Sequence, residues 1–175
     1  MARPSAAEIK EALGLEPHPT CGFVRESFRS ESVVPGWDLE GFGGDRKRGS
    51  VLYFLVTPEA RMALHRIRPE QMYHHYLGDP LEVLLLYRDG GGEVVTVGSP
   101  ADGMRPQLLI PGGTWHVSRL RSGGAYALLA TTEWPAVEPE DVEVPDDDEL
   151  IRSYPELAAG IREFAHTDAA RPLRA

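Results

Sequence analysis

The sequence holds a single cysteine, Cys21, so no internal disulfide can form and a reducing cytoplasm is the expected compartment. No apolar run approaches the roughly 20 residues of a membrane span. The first turns, with Glu8, Lys10 and Glu11, lack the apolar centre of a signal peptide. No run of Lys or Arg offers a groove that could track phosphates, so neither nucleic acid nor an anionic membrane is an expected partner. Internal repeats and low-complexity tracts are missing as well. What is present is ordinary for a globular chain: 175 residues, 42% hydrophobic and 26% charged, enough for one self-folding domain over residues 1–175. The formal charge is −9, and nine of the 27 acids lie between Glu133 and Glu149 with no basic residue among them. Elsewhere the signs balance, and the acidic segment 133–149, broken by Pro135, Pro139 and Pro145, is expected to be an extended, solvated connection.

Ser5, with Glu8 three residues on and apolar Ile9, Leu13 and Leu15, predicts a short leading helix. Phe23 to Arg29 reads as a strand. Val33 to Gly49, with five glycines, reads as a long loop, and such loops usually cover or line a site. From Ser50 to Thr132 short apolar runs alternate with turn signals at Pro58, Pro69, Gly78-Asp79-Pro80, Asp89 to Gly92, Gly98, Pro111-Gly112-Gly113 and Gly123-Gly124. That rhythm predicts an antiparallel all-β sandwich or barrel with its core over about 20–135. A carboxy-terminal helix over about 148–165 is expected to be interrupted before Pro155, with a frayed tail from Thr167.

Three of the six histidines, His65, His74 and His75, fall within eleven residues. Strand alternation puts Gln71, Tyr73 and His75 on one face and Met72, His74 and Tyr76 on the other. If the first face is interior and His116 arrives from a strand across the barrel, His65, Gln71, His75 and His116 form a polar cluster, while His74 points out. Converging imidazoles are the commonest way to hold zinc, iron, copper or nickel. Glu70, Asp79 and Cys21 read as turn residues and an inert thiol.

Pro111-Gly112-Gly113-Thr114-Trp115-His116 and the Gln71-to-Gly78 spacing resemble the two motifs of the cupin superfamily. The chain is more closely similar to a branch of small single-domain cupins of unknown function. The matches are His18-Pro19 with Gly22, Arg25-Glu26 to Ser30, Tyr53-Phe54-Leu55, His65-Arg66, Tyr76 to Leu81, Gln107 with Pro111 to Trp115, and Leu150 with Tyr154-Pro155. The resemblance implies a mainly β, single-domain jelly-roll barrel, commonly a homodimer, with its site inside. Ile67 stands where the superfamily's motif has a second His, and Gln71 where it has an acid.

The resemblance therefore implies an enzyme acting on a small-molecule ligand. A divalent metal (Fe, Zn, Ni or Mn) would sit on His65, Gln71, His75 and His116, and a pocket would include Tyr53, Gln71, Tyr73, Gln107 and Trp115. Isomerase, epimerase, lyase and dioxygenase chemistry all occur among cupins, and fold does not choose among them. Two alternatives stay open: a metal-free binding module, and a metal-free acid–base epimerase using His65 or His75 with Tyr73. The Val33–Gly49 loop is expected to act as a flap carrying Trp37 and Phe42 over the mouth. The strand through Phe23 to Phe28 is expected to extend a partner's sheet or cap its own.

Overall fold

A computed structural model describes residues 3–165; the tail from Thr167 lies outside the described residues. Ser5 caps helix α1 (Ala6–Leu13) in a capping box with Glu8, and Gly14 ends it in the left-handed conformation that a Cβ disfavours. The strands follow as β1 (Glu16–His18), β2 (Gly22–Arg29), β3 (Val33–Val34), β4 (Arg46–Lys47), β5 (Ser50–Val56), β6 (Arg66–Ile67), β7 (Glu70–Gly78), β8 (Leu81–Leu86), β9 (Gly92–Val97), β10 (Gln107–Ile110), β11 (Trp115–Leu120), β12 (Ala127–Trp134) and β13 (Val142–Glu143). Helices α2 (Asp147–Ser153) and α3 (Ala158–Ala165) are the last elements of the described residues, and the break expected before Pro155 falls at Tyr154.

Two sheets face each other. The larger has the order β1-β2-β5-β12-β7-β10 and the smaller β11-β8-β9, with every ladder antiparallel. The sheets remain separate, so the jelly-roll core is a sandwich and not a closed cylinder. Between them lie Phe54, Val56, Tyr73, Val83, Leu85, Val95, Leu108, Ile110 and Leu129, the inward positions of alternating strands. The outer faces are apolar too and need covers. Helix α1 lays Ile9 against Leu55 and Leu128 of the large sheet and against Tyr126 just before β12. On the small sheet, α2 and α3 bring Leu150, Tyr154, Ile161 and Phe164 onto Leu84, Leu86 and Val117. Each such fully buried side chain contributes about 1.5–3 kcal/mol, so the helices are integral to the fold. None of the helices among the described residues is long and apolar enough to cross a membrane.

Two expectations need correction. The segment 33–49 is not unstructured: β3 and β4 pair as a small hairpin around a helical turn at Gly36–Asp38. Phe42 lies 5.7 Å from the guanidinium carbons of both Arg46 and Arg68, which themselves flank buried Asp141. The acidic segment is not wholly solvated either. Glu133 and Asp141 are buried at 6% and 1% exposure, because β12 runs on to Trp134 and the turn at Asp141 packs against Arg46 and Arg68.

Candidate functional site

At one end of the large sheet four polar residues stand in a cross-strand row: Arg29 on β2, Ser50 on β5, Glu133 on β12 and Gln71 on β7. Arg29 reaches this row through a bulge. Glu26 pairs with Leu52 but Phe28 with Val51, so Ser27 is left over and the alternation reverses. The reversal turns Phe28 out, 57% exposed, and brings Arg29 to the face of Val24 and Glu26. A plain alternation through Phe23 to Arg29 would have done the opposite.

These residues open onto a cavity of about 400 Å³ on the inner face of the large sheet, bounded on its other side by Ile67 of β6, Val142 of β13 and Val137 to Pro139. Its floor is apolar, with Val24, Leu52, Phe54, Met62 and Ile67, and its polar groups come from His18, Thr20, Cys21, Glu26, Arg29, His65, Gln71, Tyr73, Thr131, Glu133 and Glu138. The size and the few polar groups on an apolar lining are those of a small-molecule site.

His65 and His116 meet as an isolated antiparallel bridge, each backbone N–H donating to the other's carbonyl, at 3.1 and 2.9 Å. The turn before His116 sets this contact. Thr114 N–H closes a turn onto the Pro111 carbonyl, Gly113 has φ +73°, and a Cβ on Gly112 would strike the Arg68 carbonyl oxygen. The imidazole rings lie 4.3 Å apart. His65 Nδ1 donates to the Ala63 carbonyl (2.8 Å) and His116 Nδ1 to the Thr114 carbonyl (3.1 Å), since a carbonyl can only accept. Both neutral rings therefore present Nε2 as a lone pair. The Gln71 amide donates to His116 Nε2 at 3.1 Å, and Thr131 Oγ1 donates to the Gln71 oxygen at 3.2 Å. His65 Nε2 has no hydrogen-bond partner among the described residues. Burial holds His116 well below the ordinary histidine range and pushes His65 down to about 4.

Glu133 shows the converse effect. Its carboxylate accepts from Ser50 Oγ at 2.6 Å, yet burial pushes its pKa up to about 7. Beside it, Arg29 binds Glu26 (2.8 Å) and Glu138 (2.9 Å), and donates to the Val137 carbonyl.

The cavity thus gathers His65, Gln71 and Tyr73, with fully buried His116 behind them. The other residues read from sequence lie elsewhere. Tyr53 and Trp115 occupy the outer faces of their strands, in the clusters under α1 and under α2 and α3. Gln107 is exposed and bonds His74, which also meets Thr132 on the outer face of β7. His75 has the parity of Gln71 but stands four residues, about 13 Å, further along the strand, where its Nε2 lies 3.2 Å from the Asp79 carbonyl. Neither Trp37, 84% exposed, nor Phe42 lines the cavity. The strand through Phe23 to Phe28 pairs with β5 along its length and with β1 only at Phe23 and Val24, so it caps its own sheet there. Sequence reasoning missed Glu133, grouping it with the acids after it. The signal for it was the alternation of Leu129, Thr131 and Glu133 along β12.

The family model described as cupin superfamily (DUF985), Cupin_5, matches residues 7–145. The chain belongs to this cupin family. Among solved structures it is similar to a hypothetical protein from Leishmania major, at 27% identity and TM-score 0.83, covering 93% of this cupin and 99% of that chain. A protein from Shewanella oneidensis is similar at 26% identity and TM-score 0.79, covering 94% and 99%. The fold extends to oxalate decarboxylase from Bacillus subtilis, at 11% identity and TM-score 0.51, covering 85% of this chain and 36% of that one. No curated protein matches the sequence.

Cupins often bind metals, and a metal site needs several converging donors. Among the described residues no three His, Cys, Asp or Glu side chains converge as a ligand group. The amide N–H of Gln71 caps the lone pair of His116 that a metal would take, and His75 is at the other end of the strand. The donor set of this cupin does not fit a metal.

Proposed function

We propose that this cupin binds a small organic molecule in the cavity and moves a proton on it without a metal, as in an isomerase or epimerase. One observation carries the reading: Glu133, a carboxyl with pKa about 7, faces a cavity of ligand size. A general acid–base group works best when its pKa lies near the working pH, and an ordinary glutamate, near 4.3, would hold a proton only rarely there. Ionised Glu133 takes a proton from carbon, and the protonated form returns it to a second position of the same molecule. His65, neutral at this pH, accepts a hydrogen bond from the substrate at Nε2 and orients it. Met62, Phe54 and Ile67 exclude water from the apolar part. A cytoplasmic homodimer is the proposed working form, supported by the family resemblance and the single cysteine, and light scattering giving a monomer mass would remove the dimer.

The test has two parts. Carbon-13 titration should place the Glu133 carboxyl midpoint near pH 7, and a midpoint near 4.5 overturns the reading. A mixture of small metabolites in D₂O should show carbon-bound deuterium on at least one compound with the wild-type protein and none with Glu133→Gln. Ligand binding without exchange would instead make the protein a carrier or sensor.

A further inference from the structure

We infer that the cavity selects a small amine, an ammonium group on an apolar body, and rejects carboxylates. The inference rests on the cavity being the ligand site and concerns the charge of the ligand.

The first observation is the balance of charge. Glu26, Glu133 and Glu138 line the cavity against one cation, Arg29. No other Lys or Arg lines it among the described residues. Four of the five Arg29 N–H groups are engaged: Nε and Nη2 go to Glu26, Nη1 to Glu138, and Nη2 again to the Val137 carbonyl. The mouth trio of Glu26, Arg29 and Glu138 carries a net −1 with Glu133 left out of the count. An anionic ligand would meet this net charge, with the one cation already paired to two carboxylates, at a site walled by low-dielectric side chains where charges act strongly.

The second observation is independent of charge. His65 is 3% exposed, lines the cavity, and turns its Nδ1–H to the Ala63 carbonyl, so its Nε2 can only accept. It has no partner among the described residues, and a buried acceptor is costly until a donor meets it. Most other polar groups of the lining are carboxylate oxygens, again acceptors, and the donors beside them, the Tyr73 and Thr20 hydroxyls and the Gln71 amide, carry no charge. His18, whose Nδ1 accepts from the Thr20 N–H at 3.3 Å, offers one neutral donor. A carboxylate ligand brings acceptors and a negative charge to a site rich in both. An ammonium group brings three donors and the complementary charge. The apolar floor of Val24, Leu52, Phe54 and Met62 takes the hydrocarbon part.

The test uses three probes of one length, hexylamine, hexanol and hexanoate, with the full chain at pH 8 and low salt. Binding is measured by calorimetry and located by shifts of the His65 and Glu133 signals. Hexylamine should bind at least tenfold more tightly than hexanoate, with hexanol between them. The double variant Glu26→Gln, Glu138→Gln should cut the amine's advantage at least tenfold, because Arg29 then becomes available to an anion. Hexanoate binding as tightly as hexylamine overturns the inference, as does the absence of binding by all three. The titration of Glu133 separates this from the proton-transfer reading. A midpoint near 7 with hexanoate preferred removes only the ligand class, whereas a midpoint near 4.5 with hexylamine preferred removes only the proton transfer.

Discussion

Strand β7 carries polar groups at both of its ends, and the two ends have opposite fates. At the cavity end Gln71 stands beside Glu133 and behind it His116, with burial pushing the Glu133 and His116 pKa values in opposite directions. At the far end His75 leans on the carbonyl of Asp79. The Asp79 carboxylate accepts from the Ala125 and Tyr126 backbone amides and from Arg3. Arg3 holds Asp79 below the usual carboxylate range, so its charge is stabilised there. Both ends share the same strand and the same alternation. What differs is whether a partner was supplied for each charge: at the far end Arg3 and two backbone amides do so, while at the cavity end the partners of Glu133 and His65 are left incomplete. Groups held away from their comfortable protonation state cluster at functional sites, and this supports the function proposed for the cavity end.

Acid should produce the largest effect, because it acts on the cavity-end imidazoles. The folded pKa of His65 is below its unfolded value, so stability from His65 is present above about 6.5 and lost as pH falls toward 4, by about 3 kcal/mol. His116 adds a further loss of the same sign. Glu133 works the other way, since its folded pKa is raised: its penalty is complete above pH 7 and relieved as pH falls to 4.5. The windows of His65 and Glu133 overlap and offset one another in the wild type, which leaves the His116 loss. Denaturant unfolding of Glu133→Gln between pH 7 and 4 should therefore show a steeper loss than the wild type, by the part that Glu133 offsets. A flat profile in both proteins would erase the contrast between the ends.

The same substitution should stabilise the protein at pH 8 by about 3 kcal/mol, since an amide needs no charge to be buried, and by nothing below pH 4.5. Equal stability of the two proteins at pH 8 would mean that Glu133 is solvated.

Gln71→Glu sharpens the comparison at a single bond. Ionised, the new carboxylate cannot donate to His116 Nε2 as the amide does, so a buried acceptor pair replaces a hydrogen bond. We expect a loss of about 2 kcal/mol in metal-free buffer and recovery of the melting temperature on adding Zn²⁺ or Mn²⁺, because a cation can then bridge the two groups. The wild type should not respond to either ion. A rise in its melting temperature would show that Gln71 turns to offer its oxygen, and would restore the metal reading.

Much of this was legible in the residues. Turn signals marked the strands, the Ser5–Glu8 pair marked α1, and Pro155 marked the break between α2 and α3. The motif from Pro111 to His116 placed His116 near His65, and alternation placed Gln71 and Tyr73 inside and His74 outside. Alternation fixes a face but not a height, which is why His75 was grouped with residues about 13 Å away. It also does not say which face a helix will cover, and so Tyr53 and Trp115, apolar enough for either side, went to the outer clusters. The bulge at Ser27 reverses Phe28 and Arg29 with no Gly or Pro to announce it. Glu133 was concealed by composition: the acids after it are mostly exposed, and only its pairing with Ser50 and Gln71 separates it from them.

His75→Ala should have the smallest effect and tests the far end directly. The ring is half-buried and has one bond, to a carbonyl in the turn after β7, so its loss should cost about 1 kcal/mol. The cavity lies four residues away along β7, and no residue lining it touches His75 through a hydrogen bond, so hexylamine affinity and the Glu133 midpoint should both be unchanged. An affinity loss of tenfold or more, in a protein whose melting temperature has moved by only a few degrees, would show that the two ends act together. The separation argued from strand height would then fail, and His75 would belong with His65 and Gln71 after all.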